Sequence, residues 1–158
     1  MAAETLTATR AAATFPVFKA SGAGLLCCAW GTYAVANAVE DGDIFEMCKV
    51  PAGATIVGGY LQTEDLDTGS EAIDVMVGWA ANGSDAADPN GLLLDKVLTG
   101  DISVHLDIAS NIVFFGGVLT GDGPKTLVNE TTIQVEVNTA AATFAAGQIT
   151  VVVYYLSP

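Results

Sequence analysis

An antiparallel β-sandwich, with a jelly roll preferred over an immunoglobulin-like arrangement, is the fold class this sequence predicts, and three observations predict it. Two segments alternate with period two: Ile73, Val75 and Val77 against Asp74 and Met76, and Ile133, Val135 and Val137 against Thr132, Gln134, Glu136 and Asn138. Roughly eight short apolar runs are separated by turns rich in Gly, Pro, Asn and Asp. No regular alternation of strands with long helical patterns accompanies them, which removes a parallel βαβ sheet, and no internal repeat of fixed period is found.

Taken in order, residues 1–22 read as an extended N-terminal arm and residues 23–158 as the sandwich domain. The arm is rich in Ala and Thr and ends near Phe15-Pro-Val-Phe18, where Pro16 favours extended backbone. Ala20-Ser-Gly-Ala-Gly24 lacks the strand, helix and Lys of a phosphate loop and reads as a joint between arm and body. Leu25–Val35 is uncharged, and Ile44–Val50 is bounded by Asp41-Gly-Asp43 and Pro51-Ala-Gly53, so both are strands. Leu61 to Gly78 reads as a β-hairpin, two strands joined by the acidic turn Glu64-Asp-Leu-Asp-Thr-Gly-Ser-Glu71. Leu92–Leu98 reads as one short helix, with Asp88 as its cap and Pro89 in its first turn. Strands follow near Ile102–Leu106 and Asn111–Phe115, closed by Gly121-Asp-Gly-Pro124. Ile149-Thr-Val-Val-Val-Tyr-Tyr-Leu156 is apolar on both faces, as expected of a central strand covered twice or one lying against another subunit.

Composition narrows the function. The chain is 51% hydrophobic and 15% charged, which leaves more apolar surface than a lone domain of 158 residues hides and predicts a homo-oligomer. Eighteen acidic against five basic side chains give a net charge of −13, a field that repels phosphate backbones and anionic headgroups; nucleic acid and membrane are not expected partners. Residues 1–22 hold Glu4 against Arg10 and Lys19, net +1, so arm and body have opposite sign. The first ten residues lack the order of a secretory signal, and the Gly, Ser and Asn of Ala20–Val39 break up what would have to be a spanning helix.

No constellation of residues points to catalysis, and no cofactor is expected. Cys27, Cys28 and Cys48 lack zinc or redox spacing and read as reduced, buried thiols. The sole histidine, His105, alternates with apolar neighbours in Ser103-Val-His-Leu106 and has no nucleophile elbow beside it. The acidic turns 64–71 and Glu40-Asp-Gly-Asp43 could supply hard oxygens to calcium, but 64–71 has Gly69 where an EF-hand loop wants a ligand, and aspartates bonding their own backbone explain both turns. Trp30, Tyr33, Trp79, Tyr154 and Tyr155 could stack on sugars, yet each sits in an apolar strand and reads first as core. Asn82-Gly-Ser84 and Asn129-Glu-Thr131 match glycosylation tripeptides and carry no role on that ground alone.

At Ala38-Val-Glu-Asp-Gly-Asp-Ile-Phe-Glu46, Lys49-Val-Pro-Ala-Gly-Ala-Thr-Ile-Val57, Asp65-Leu-Asp-Thr-Gly69 and Ile73-Asp-Val-Met-Val-Gly78, the chain resembles capsid cement, or decoration, proteins of tailed bacteriophages. The likeness continues through Asp85-Ala-Ala-Asp-Pro89 and Ala145-Ala-Gly-Gln-Ile-Thr-Val-Val-Val-Tyr-Tyr155. It implies a β-sandwich, often trimeric, bound to the major capsid protein on the capsid exterior, made in the host cytoplasm, and without catalytic residues. From the sequence itself, the slightly basic arm is the expected capsid contact, with Arg10, Phe15, Pro16, Phe18 and Lys19 as its contact residues. The alternative function is a carbohydrate-binding host-recognition module.

Overall fold

The computed structural model describes residues 4–14, 24–70, 72–98, 102–105 and 124–158. These contain ten strands and no helix: β1 Thr5–Thr7, β2 Leu26–Val35, β3 Ile44–Val50, β4 Thr55–Thr63, β5 Asp74–Trp79, β6 Asp88–Val97, β7 Ile102–His105, β8 Lys125–Thr126, β9 Thr131–Thr139 and β10 Gly147–Leu156. One sheet runs β1-β3-β9-β5-β6, the other β2-β10-β4-β7, with β8 also pairing β4. The strand predicted at Asn111–Phe115 lies outside the described residues.

The pairs β2–β10, β3–β9, β4–β7 and β5–β6 are nested inside one another and antiparallel, as a single long hairpin rolled over itself produces; a jelly roll is connected this way. Among the described strands only β1 is parallel to its neighbour, laid along β3 from Thr5 opposite Ile44 to Thr7 opposite Glu46. The predicted alternation is what fills the space between sheets. Val75 and Val77 on β5, Val135 and Val137 on β9, and Val151 and Val153 on β10 are all fully buried. Burying each such side chain contributes about 1.5–3 kcal/mol. On the β2 side the sheets come within backbone contact: a Cβ on Gly31 would run into the carbonyl oxygen of Met47 on β3, so only glycine lets the two strands meet.

Two expectations are corrected. Leu92–Leu98 is not a helix; its residues to Val97 belong to the edge strand β6, antiparallel to β5 with Leu93 opposite Val77. Seven residues gain too little to nucleate a helix alone, whereas β5 offers a ready ladder. Gly91 has no side chain to hold off the Trp79 ring, and Leu92 and Leu93 fall into the core. Pro89 is tolerated because β6 is an edge.

The Leu61–Gly78 hairpin is the second correction. β4 and β5 belong to different sheets, and the acidic segment between them is a crossover. Asp67 explains it. Its buried carboxylate accepts N–H groups from Gly69 and Ala72 on its own segment and from Ala142 and Thr143 on the β9–β10 connection, at 2.8–3.3 Å. The Thr68 N–H donates to the Thr143 carbonyl and the Ala145 N–H to the Leu66 carbonyl, which ties the two crossovers side by side.

Candidate functional site

The outer face of the second sheet stands out once the core is assigned. Along β2 the odd positions face the core, while Leu26, Cys28 and Trp30 point away and are exposed. The register places Leu156 opposite Leu26, Tyr154 opposite Cys28 and Val152 opposite Trp30, and on its other side β10 sets Val152 against Tyr60 of β4. Leu26 keeps 66% of its surface exposed, Trp30 41%, Leu156 37% and Tyr154 36%. Further along, the Thr32 and Thr150 hydroxyls hydrogen-bond at 2.9 Å, and Ala34 and Gln148 follow. Tyr60 and Tyr154 sit with ring centroids 6.4 Å apart in a tilted pair. None of these outward residues of β2, β10 or β4 is charged.

The doubly apolar reading of Ile149–Leu156 is thereby resolved. Ile149, Val151, Val153 and Tyr155 are buried against the other sheet, whereas Val152 is half-buried and Tyr154 and Leu156 are exposed. Of the five aromatics singled out in the sequence, Trp79 and Tyr155 are core, Tyr33 is half-buried against Phe45, and Trp30 and Tyr154 are on the surface, against the expectation for those two. Cys28 is exposed rather than buried. Cys27 packs against the core, and Cys48 lies buried on β3 in the opposite sheet, its thiol pushed up to about 12 chiefly by burial. All three are free.

The N-terminal segment packs on its own body. Beyond β1, Ala8 and Ala11 are buried, and the Ala8 N–H donates to the Glu46 carbonyl at 2.8 Å. Glu4 donates its N–H to Asp43 Oδ1, while Asp43 Oδ2 accepts the Glu40 N–H; the acid of the 40–43 turn thus pins the segment's start. Arg10 lies with its guanidinium carbon 3.7 Å from the Trp30 ring centroid, a cation–π contact that lays a positive charge against the uncharged face. Phe15, Pro16, Phe18 and Lys19 lie outside the described residues.

A second polar cluster closes another edge. Asp85 Oδ1 accepts from the Lys125 ammonium at 2.7 Å, and Oδ2 from Asn82 Nδ2 at 2.8 Å and the Val128 N–H at 3.0 Å. These donors, Lys125 foremost, lower the Asp85 pKa to about 2. Asn129 Nδ2 donates to the Asn82 carbonyl and to Ser84 Oγ, so the asparagines of the two glycosylation tripeptides are spent holding their loops together. Asp67 is held well below the usual carboxylate range, first by the Ala72 N–H and then by those of Thr143, Ala142 and Gly69, against the opposing effect of burial. Among the described residues no group of three or more His, Cys, Asp or Glu could hold a metal ion, and His105 sits on β7 opposite Tyr60. The turn acids act as acceptors for backbone N–H groups, and the outward residues of β2 and β10 form an uncharged, partly apolar face.

No family model matches the chain, and no curated protein does. Several solved structures are similar to it. A chain in the capsid of Ralstonia phage GP4 aligns with a TM-score of 0.77 at 22% identity, covering 98% of both chains. A chain in the cyanophage Pam1 capsid asymmetric unit aligns at 0.63 and 22% identity over 92% of this chain and 94% of that one. A chain in the acidic stable capsid of Helicobacter pylori bacteriophage KHP30 aligns at 0.54 and 14% identity, over 87% and 91%. At these identities the likeness establishes a shared fold.

Proposed function

We propose that this protein is a structural component of a tailed-phage head, a cement protein that binds the major capsid protein lattice from outside and stabilises it without catalysing a reaction. The observation that carries the reading is the end-to-end likeness, over 98% of each chain, to a chain of a phage capsid. An uncharged aromatic face on an acidic body supports it, because adhesion rather than chemistry is what such a surface offers. Copies self-associate, as trimers at the junctions between capsomers. Residues 1–22 act as an arm that starts on its own body, where β1 and Arg10 lie, and contribute Arg10, Phe15, Pro16, Phe18 and Lys19 to contacts with neighbouring subunits. Many weak contacts add up across a lattice.

The exposure of Trp30 and Tyr154 favours a carbohydrate-binding reading as well. Arg10 weighs against it, since its guanidinium occupies the Trp30 ring where a sugar would stack.

The test is co-sedimentation of purified protein with phage heads stripped of it, with copy number per head read from gel densitometry. Saturable binding is expected, and a variant lacking residues 2–19 should reach lower occupancy. Heads that neither contain nor take up the protein would overturn the proposal; undiminished occupancy without residues 2–19 would remove the arm from it.

A further inference from the structure

We infer that the outer face of β2, β10 and β4 is the surface through which copies of this chain meet, with a second copy as its occupant. The inference rests on the reading above and specifies which face makes the self-association.

Charge selects the occupant. Two molecules each carrying −13 repel wherever carboxylates face one another, and like charges brought together in a contact cost several kcal/mol. The outward positions Leu26, Cys28, Trp30, Val152, Tyr154 and Leu156 carry no charge, and among the described residues the Arg10 guanidinium lies over the Trp30 ring. There an acidic copy meets apolar surface instead of its own sign.

The sheet edge agrees. Among the described residues β2 ends its sheet and pairs with β10 alone, and its ten residues contain neither a charge nor a proline. Edges left long, apolar and unblunted are those that join other chains.

Area sets the strength. Three strands of nine or ten residues, at about 3.3 Å per residue and 4.8 Å between strands, present roughly 450 Å². A standard interface takes about 800 Å² from each partner, so one such contact is reversible and gains permanence only when several copies are held together on a lattice.

The test is sedimentation equilibrium of the full chain over a wide concentration range. Species heavier than the 16.1 kDa monomer are expected to accumulate with concentration. Trp30→Glu and Tyr154→Glu should abolish them, while Gln134→Glu, on the opposite sheet, should not; thermal melts check that each variant is folded. The unmutated chain gives a second reading: maleimide labelling of exposed Cys28, mapped by mass spectrometry, should slow as concentration rises. A wild-type chain that stays monomeric while still binding heads would overturn this inference and leave the head reading standing. Association that survives both face variants, or Cys28 labelling independent of concentration in an associating sample, would overturn it too.

Discussion

Gly31→Ala is the sharpest perturbation of the sandwich. The added Cβ would overlap the Met47 carbonyl oxygen, a backbone atom on the opposite sheet that no side-chain rotation can move. β2 must then lift from β3, loosening Cys27, Ala29 and Tyr33, which pack inward from β2. Overpacking of a tight core costs typically 1–3 kcal/mol, and a clash with backbone belongs at the upper end, about 3 kcal/mol. For a domain of this size each kcal/mol moves the melting temperature by roughly 2–4 °C, so a drop of about 10 °C is expected in calorimetry. Gly24→Ala is the control. Its φ of 77° also disfavours a side chain, but nothing lies within 4 Å of the new Cβ. Backbone strain alone there costs about 1 kcal/mol, near 3 °C. If Gly31→Ala melts no lower than Gly24→Ala, the two sheets do not meet at Met47 as described.

Asp85 makes a pH prediction. Its folded pKa, about 2, is below its ordinary 3.8, so its contribution is complete above about pH 4 and is lost as pH falls through 2. Asp85→Asn should lower stability at neutral pH by about 2 kcal/mol, the cost of a charge-assisted bond lost beside Lys125, and flatten the acid limb of the denaturation curve between pH 4 and 2. An acid limb unchanged from wild type would refute the cluster's role. Thiol labelling should separate the cysteines: Cys28 reacts in the native state, whereas Cys48, buried and raised to about 12, reacts only on unfolding. Equal native rates, read by mass spectrometry, would contradict the burial of β3.

How far the sequence carries the fold depends on which force decided each element. β3 runs from Ile44 to Val50 as expected, because turn residues bound it and buried side chains drive it. β6 was illegible: Leu92-Leu-Leu94 has no period of its own, Asp88-Pro89 opens a helix or an edge strand equally well, and the choice fell to β5 and the space above Gly91. The crossover after Thr63 was illegible for another reason. Asp65 and Asp67 make the local Asx bonds of a turn, to the N–H groups of Asp67 and Gly69, in either topology. What separates crossover from hairpin is the reach of Asp67 to Ala142 and Thr143, a contact with no local trace in the sequence. The uncharged outer face was half legible. The two apolar faces of β10 pointed to it, but Leu26, Cys28 and Trp30 are indistinguishable from core by residue type.

The placement of the acids bears on the proposed self-association of so charged a chain. Asp41, Asp43, Asp65, Asp67 and Asp85 each accept a backbone N–H in or beside a turn, so much of the acidity belongs to the connections that carry the chain between sheets. Those carboxylates leave the outer face of β2, β10 and β4 bare, yet their field still opposes the approach of another copy. Salt should therefore strengthen self-association. Raising ionic strength to physiological values shortens the screening length to about 8 Å and weakens repulsion between the bodies, while contact between apolar faces persists. An interface built of ion pairs would respond in the opposite direction. Sedimentation across a salt series distinguishes the two: association that weakens as salt rises would mean that copies meet through their charges, and the bare face would lose its claim.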